Sequence, residues 1–336
     1  MQQQPTDRRI DKLLHLLVQN ATLIVPGPKI ADEIGVTRGK VWMWIEKLRE
    51  LGMEIKGHHA NGYQLESLPD LLTPSMVRAE LGDQEIGAKI FHFFKTDSTN
   101  TVAARLASER APHGAVVLAE EQTGGRGRFG RTWYSEKSSG IYASIILRPP
   151  LSPAATPGIT LMAGLAAQQA VLNATGLCPD IRWPNDLLLN GRKICGILTE
   201  MSAEVDRLHS VVVGIGINVN HRRMPPELAE IATSLRIEGH KTYSRLHLLV
   251  ALLGEVQKFY HLLLEEGTAA IAARWAACSS FAQGKRVRVV TGKGEFQGVT
   301  CGLEPGGALR VRFDDGRVES LISGEVFELK GNDHVE

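Results

Sequence analysis

The chain has few cysteines and spaces them too widely to build a site from them. Cys178, Cys195, Cys278 and Cys301 stand singly, with no CxxC pair. That argues against a zinc site, an iron–sulfur cluster or a disulfide framework and leaves them as buried reduced thiols. Long hydrophobic runs are missing too: no apolar stretch reaches the ~18 residues of a membrane span, and the opening MQQQPTDRRIDK is polar. A cytoplasmic location is expected. Excess charge of one sign is also lacking. The formal net charge is +1, so no global basic field announces nucleic acid, and any DNA contact has to come from a local face. Long repeats and low-complexity tracts do not occur, and no Ser–His–Asp or reactive-cysteine arrangement is evident. What remains is an ordinary globular composition, 43% hydrophobic and 22% charged over 336 residues, enough for two or three domains.

The segment Gly124 to Trp133 reads GGRGRFGRTW, with Arg126, Arg128 and Arg131 set among Gly124, Gly125, Gly127 and Gly130, directly after the apolar run Ala115 to Ala119. Glycines let backbone N–H groups approach a ligand in conformations a side chain forbids, and guanidinium forks grip carboxylate or phosphate bidentately. Three arginines in one short loop repel each other, and a bound polyanion offsets that repulsion. GRGRFG also satisfies the dinucleotide fingerprint GxGxxG. That fingerprint opens a helix, however, and is followed about 20 residues later by an acid for the ribose. Here Thr132, Trp133, Tyr134 and Ser135 lead into the apolar alternation Ile141 to Leu147, which reads as a second strand, and no acid follows near Pro149, Pro150 and Pro153.

Three segments are expected. In the first, Ile10, Leu13, Leu14 and Leu17 form one helical stripe, a short helix spans Lys29 to Ile34, and Gly35 makes a turn. Thr37 caps a third helix in which Val41, Ile45, Leu48 and Leu51 recur at helical spacing, with Gly52 as its stop. Met53 to Ile55 and Gly62 to Leu65, around KGHHAN, read as a hairpin, which makes a winged helix-turn-helix over 1–66. Arg38, Lys40, Lys47 and Arg49 cluster on its third helix, with His58 and His59 in the wing; that charge favours phosphate, while Glu46 and Glu50 dilute it. The residues expected to meet DNA are Thr37, Arg38, Lys40, Trp42, Met43 and Lys47. A small helical interaction domain is the plain alternative.

After a linker from Glu66 to Thr73, marked by Pro69 and then Pro74, strands and helices alternate irregularly through 67–281. Strands are expected at Lys89 to Phe94, Ala115 to Glu120, Gly140 to Leu147, Ile181 to Trp183, Leu187 to Leu189, Lys193 to Glu200 and Ser210 to Asn218. Helices are expected at Thr99 to Ser108, Ile159 to Thr175, Ser244 to Glu265 and Thr268 to Trp275. The pattern predicts an α+β domain around a mixed sheet, not a doubly wound parallel one. In 282–336 only short strands remain, punctuated by Gly292, Gly294, Gly306, Gly307 and the turn Asp314 to Gly316, and a small β-barrel is predicted.

Three further clusters accompany the Gly–Arg loop. KTDSTN, Lys95 to Asn100, opens a helix with small hydroxyl and amide groups; RWPNDLLLNGRKICGIL, Arg182 to Leu198, sets Lys193 at the head of an apolar strand; VVVGIGINVN, Val211 to Asn220, alternates Gly214 and Gly216. Singly, each has an ordinary reading: Ser98 a helix cap, Lys193 a surface lysine, the glycine pair a bulge. In this order, with the winged helix before them, they resemble the biotin protein ligases, in the bifunctional form that also represses the biotin operon. The resemblance covers nearly the whole chain, through DSTN, QxxGRGRxGRxW, WPND, RKxxGIL and GxGIN.

The resemblance implies a central catalytic domain of class II synthetase type and an SH3-like C-terminal barrel. It implies ATP-dependent conversion of biotin to biotinoyl-5′-adenylate, then transfer to a lysine of a biotin carboxyl carrier protein. It places Ser98, Thr99, Asn100, Gln122, Gly125, Arg126, Gly127, Arg128, Lys193, Gly196 and Gly214 around biotin, and Arg128, Arg131, Asn185, Lys193 and Asn218 around the nucleotide. Lys193, Arg128 and Arg126 carry the catalysis, Asp186 is the candidate ligand for Mg²⁺, and Trp133 packs beneath the loop. Adenylate binding is expected to favour a homodimer on operator DNA. One departure is the run Trp42, Met43, Trp44 in the third helix, where the family commonly places basic and imidazole residues; Gly39 also weakens that helix by about 1 kcal/mol relative to alanine. The rival readings are a ligase with a vestigial winged helix, a lipoate-type ligase or octanoyl transferase, and a ligand-sensing regulator that no longer reacts.

Overall fold

The computed structural model describes residues 7–21, 23–50, 53–58, 61–67, 70–292 and 294–329. Leu51, Gly52, His59 and Pro69, which the sequence reading used, lie outside the described residues. At the N-terminus α1 (Arg8–Gln19), α2 (Gly27–Ile34) and α3 (Arg38–Glu50) are followed by the antiparallel hairpin β1 (Ile55–His58) and β2 (Gly62–Leu65). Leu13, Leu14 and Leu17 of α1 bury their stripe against Ile30 of α2 and Ile45 and Leu48 of α3. Gly35 ends α2 at φ 68°, a left-handed conformation that costs glycine nothing. Thr37 Oγ1 accepts from Lys40 N at 3.3 Å, the cap expected of it. This is a winged helix-turn-helix domain.

The central domain runs α4 (Pro74–Leu81), β3 (Ile90–Phe93), α5 (Thr99–Ser108), β4 (Ala115–Ala119), β5 (Gly140–Leu147), α6 (Thr156–Thr175), β6 (Asp180–Arg182), β7 (Asp186–Leu189), β8 (Arg192–Ala203), β9 (Leu208–Asn218), α7 (Leu235–Gly239) and α8 (Arg245–Cys278). Its seven-stranded sheet has the order β3-β4-β5-β9-β8-β7-β6, and only β3 and β4 are parallel. The mixed sheet is as expected. α8 breaks at Gly267, where φ is 79°, between the two helices read from the sequence. The sequence reading missed α4, a short helix behind a proline. On one face α6 and α8 bury Leu165, Leu249, Leu253 and Trp275. On the other, α5 covers β4 and the far part of β5 and β9 with Val102, Ala103 and Ala107. The near ends of β5, β9 and β8 remain for the site.

The C-terminal strands β10 (Gln283–Thr291), β11 (Gly294–Leu303), β12 (Leu309–Phe313), β13 (Val318–Leu321) and β14 (Glu325–Glu328) form one antiparallel sheet in the order β13-β12-β11-β10-β14. The sequence reading did not find β14, in which only Val326 is buried, too little to mark an alternation. Val287, Val289, Val311 and Phe313 join the same apolar core as α6 and α8. Trp183 Nε1 donates to Gly307 O at 3.1 Å and pins this sheet to the central domain.

One charged cluster ties the interior together. Arg245, at the start of α8, is fully buried and donates to Asp70 Oδ2 (2.9 Å), Glu120 Oε2 (2.8 Å) and Gly140 O (3.1 Å). Glu120 Oε1 meets Leu72 N at 2.8 Å and His92 Nε2 at 3.1 Å. Burial alone would raise the Glu120 carboxyl, but Arg245, His92 and the Leu72 N–H outweigh it and hold it at about 2. The cluster fixes the segment after the winged helix against the ends of β4 and β5. Among the described residues no helix is long and apolar enough to cross a membrane.

Candidate active site and DNA-facing helix

The site lies at the ends of β3, β4, β5, β9 and β8. Beyond β3 and β4 the parallel pairing continues as a bridge between Thr96 and Gln122, so the helix-opening cluster sits beside the Gly–Arg loop. Ser98 occupies the N-cap position of α5 without capping it by its side chain. The exposed donors of α5 are met from across the gap instead: Gln122 Oε1 accepts from Thr99 N (2.8 Å) and Thr99 Oγ1 (3.1 Å), and Gln122 Nε2 donates to Ser135 Oγ at 2.8 Å. Ser144 Oγ donates to Asn100 Oδ1 at 2.6 Å, while Asn100 Nδ2 donates to Glu200 Oε2 at 2.8 Å. These groups orient one another through contacts within the protein.

The alternating glycines are not a bulge. Gly214 and Gly216 pair in register with Ser144 and Tyr142 on one side and with Leu198 and Gly196 on the other. A β-carbon at 214 would run into Asn100 Oδ1, and one at 216 would stand 2.6 Å from the Trp133 indole. The missing side chains leave a trough in the sheet. Trp133 lies across Gly196 and Gly216 and forms part of the cavity wall, not merely the underside of the loop.

The Gly–Arg segment is a tight hairpin with a single 3-10 turn, Arg128–Gly130, and does not open a helix. It closes through Trp133 N to Gly125 O (2.8 Å) and Gly127 N to Arg131 O (2.7 Å). Gly125 serves this closure, since a β-carbon there would lie 2.5 Å from Trp133 O. Each arginine has an acceptor: Arg126 on Glu200 (2.6 Å), Arg128 on Asn185 Oδ1 (3.2 Å) and Gly324 O (3.0 Å), and Arg131 on Glu325 (2.5 Å). Two of these contacts come from the C-terminal sheet or its approach. Lys193 Nζ meets Asp186 Oδ1 at 2.5 Å and lies 5.5 Å from the Trp133 ring centre. Asp186 Oδ2 takes Arg182 at 2.7 Å. Burial would raise the Asp186 carboxyl, yet Lys193 and Arg182 bring it below its ordinary value. Burial lowers Arg128, partly countered by Asp186 and Glu325, and a guanidinium stays charged regardless.

Together these walls enclose about 390 Å³. Ser98, Thr99, Asn100, Gln122, Arg126, Gly127, Arg128, Arg131, Asn185, Asp186, Lys193, Gly196, Gly214 and Asn218 all line it; Gly125 does not. The apolar side is Ala143, Leu188 and Ile215 with Met224, Leu228, Ile231 and Ala232. The last four belong to a segment the sequence reading passed over. It is held by Lys193 N to Ile231 O and Thr233 N to Lys193 O, both 2.9 Å, and the pair Pro225 and Pro226 was its only local signal. Glu200, Ser135 and Ser144 were missed as well, since nothing in one chain's spacing says which strand residues meet a loop. Among the described residues, Trp133 Nε1 and Asn218 Oδ1 are buried without a hydrogen-bond partner.

In the winged helix-turn-helix, α3 buries Val41, Trp44, Ile45 and Leu48 and leaves Arg38, Lys40, Trp42 and Met43 exposed beside Thr37. Lys47 stands apart from these, exposed but 5.9 Å from the Phe94 ring centre of the central domain. Arg49, expected on phosphate, is engaged by Glu46 (2.5 Å) and Ile55 O (2.8 Å) and fastens the helix to the wing. His58 Nε2 meets Gln64 Oε1 at 2.8 Å.

Comparison with known proteins agrees with this architecture. Residues 93–218 match the biotin/lipoate A/B protein ligase family, and residues 9–64 match a helix-turn-helix domain. The bifunctional ligase/repressor BirA of Bacillus subtilis is 36% identical over 316 residues, covering 94% of this chain and 97% of that protein. The biotin–[acetyl-CoA-carboxylase] ligase of Mycobacterium tuberculosis is 32% identical, over 78% of this chain and 98% of its own length. Among solved structures, the biotin protein ligase of Aquifex aeolicus in complex with biotin and ATP superimposes with a TM-score of 0.62 at 28% identity, covering 71% of this chain and 97% of that one. The chain belongs to the biotin protein ligase family, alongside the bifunctional ligase/repressors that carry a helix-turn-helix.

Proposed function

We propose that the chain activates biotin with ATP and passes it to a lysine of a biotin carboxyl carrier protein, and that its winged helix represses biotin genes when the adenylate is bound. The observation that carries the enzymatic reading is one cavity in which Arg126, Arg128, Arg131 and Lys193 converge on a trough of Gly196, Gly214 and Gly216. A biotin carboxylate oxygen attacks the α-phosphorus of ATP, the bond to the bridging oxygen breaks and pyrophosphate leaves. Two anions meet in that step, so fixed cations and N–H donors have to stand where charge accumulates. Lys193 takes the carboxylate and α-phosphate by exchanging Asp186 for them. Arg126 and Arg128 close over the same groups, exchanging Glu200, Asn185 and Gly324 O. Ser98, Thr99, Asn100 and Gln122 address the ureido head of biotin, the apolar wall takes its ring and chain, and Arg131, Asn185 and Asn218 attend the nucleotide.

In the second step the carrier lysine amine attacks the acyl carbon, AMP leaves and the amine loses its proton. The mixed anhydride is already activated, so no protein nucleophile is required. Cys195, the one cysteine near Lys193, is buried and its thiol pushed up by that burial, which disfavours the octanoyl-transferase reading. Asp186 fits a resident magnesium ion poorly. Both its oxygens face cations, and among the described residues no group of three or more His, Cys, Asp or Glu converges. Magnesium enters as part of the MgATP substrate, on its phosphates.

We assign 1–66 to DNA binding, 67–281 to catalysis and 282–336 to a C-terminal unit whose sheet closes as an SH3-like barrel. The central fold is of class II synthetase type, and the adenylate-bound chain acts as a homodimer. The deciding experiment is pyrophosphate release with biotin and MgATP, followed by mass spectrometry of carrier domains offered biotin and lipoate together. Biotinylation alone is expected. Lipoylation, or no release with biotin, would overturn the ligase reading. Gel shift on DNA upstream of biotin genes tests repression, and an adenylate-independent result or none would remove it.

A further inference from the structure

We infer that the solvent-facing half of α3 reads thymine in DNA by its 5-methyl group, through Trp42 and Met43; this rests on the proposed operator binding. Trp42 is 56% and Met43 52% exposed, neighbours on the one face of α3 that the core does not use. Exposing two large apolar side chains side by side forfeits the burial each would otherwise gain, so the pair calls for an occupant. The surrounding charge names it. Arg38 and Lys40 are exposed at the same end, and the first turn of α3 has no acid. A helix carrying cations at its leading end in a helix-turn-helix suits the phosphates beside a major groove.

The polar base code needs Arg or Lys for guanine, Asn or Gln for adenine and an acid for cytosine at the groove-facing positions. Trp42 and Met43 supply none of these. The feature of the major groove that suits an apolar side chain is the thymine methyl. Gly39 adds a second, independent sign. It precedes Met43 by four residues, one turn up the same face, and a β-carbon there would meet nothing within 4 Å. Packing therefore does not require a glycine at a position where it costs the helix about 1 kcal/mol against alanine. A slot beside Met43 is what its absent side chain leaves.

The test uses the full chain with biotin and MgATP and a randomised DNA duplex library. In the duplex retained, each dT is replaced in turn by dU, which removes the methyl and keeps every hydrogen-bonding group. At one or two positions per half-site the dU duplex is expected to bind about 5- to 10-fold more weakly, at the low end of the range of single base contacts. Met43→Ala and Trp42→Ala should bring the dT and dU duplexes level, whereas Arg38→Ala should weaken both alike and flatten the salt dependence. Equal affinity for dT and dU duplexes at every position in the unaltered chain overturns the inference and leaves repression standing. So does a Trp42→Ala or Met43→Ala variant that changes sedimentation but not the dT/dU ratio. Retention of no duplex at all defeats the repressor reading itself.

Discussion

Lys193 shows how one residue changes meaning between chain and fold. In sequence it is a basic residue opening an apolar strand; in the structure it sits between Asp186 and the Trp133 ring, on the wall of a cavity. Its charge is partly neutralised by Asp186, and on the proposed reading substrate displaces that contact, which subtracts from its binding energy. Lys193→Ala is expected to slow adenylation by about 10²- to 10³-fold, read as pyrophosphate release, with a much smaller change in biotin affinity by calorimetry. Equal losses in both would make Lys193 a binding residue only. Gly214 gives the complementary test. A methyl there collides with Asn100 Oδ1, and Asn100 is already fixed by Ser144 and Glu200. Gly214→Ala should therefore weaken biotin binding at least about tenfold and cost about 1 to 3 kcal/mol of stability, leaving the fold intact; unchanged calorimetry would show that the trough is not where biotin lies.

At the scale of elements the Gly–Arg hairpin is the part that the proposed function requires to move. Its arginines rest on Glu200, Asn185, Gly324 O and Glu325, contacts drawn from β8, the turn before β7 and the C-terminal sheet. Phe129, at its tip, holds φ 55° and is largely exposed. Such a backbone conformation costs a non-glycine residue on the order of 1 kcal/mol and tends to mark sites that work. Arg128→Gly removes the hold on Asn185 and Gly324 O and adds a further flexible residue. The fold should survive, but the intermediate should escape, so free adenylate and acylation of bystander lysines are expected to rise several-fold. Chromatography of released biotinoyl-5′-AMP checks this, and full retention would count against the hairpin as a seal. The element pattern itself was largely legible beforehand: β5 and α5 carry the bounds read from the sequence, since their periodicity is unambiguous. β14 and α4 were not: each buries only one or two side chains, Val326 in β14 and Val77 and Leu81 in α4, too few to mark a period.

Among the described residues several buried groups make the molecule acid-sensitive, His221 and Glu120 with large shifts. Burial, with Arg245 nearby, depresses the His221 imidazole to about 4. Between about 6.5 and 4 the unfolded chain therefore binds a proton that the folded chain refuses, and stability falls as pH falls through that window. Glu120 acts lower down. Its folded value near 2 lies below the 4.5 of the free side chain, so its contribution is complete above about 4.5 and drains away toward 2. Urea unfolding at pH 7, 5.5 and 4 should show a progressive loss on the order of 2 kcal/mol from His221. His221→Gln should flatten that slope, and a parent chain equally stable at pH 7 and 4 would refute the assignment.

Local composition and order in this chain were enough to settle the family, the three-part organisation and most of the residues that meet in the cavity. Glycines, arginines and hydrophobic periods act within a few residues of themselves, and one chain records them directly. The sequence could not show that Glu200 holds both Asn100 and Arg126, that residues 224–232 wall the site, that Arg49 belongs to the wing, or that Gly125 closes the hairpin and does not line the cavity. Each of these is a meeting of segments far apart in the chain or a question of which way a side chain points. Sheet register and the docking of one layer on another decide such meetings, and both arise only when the strands pair.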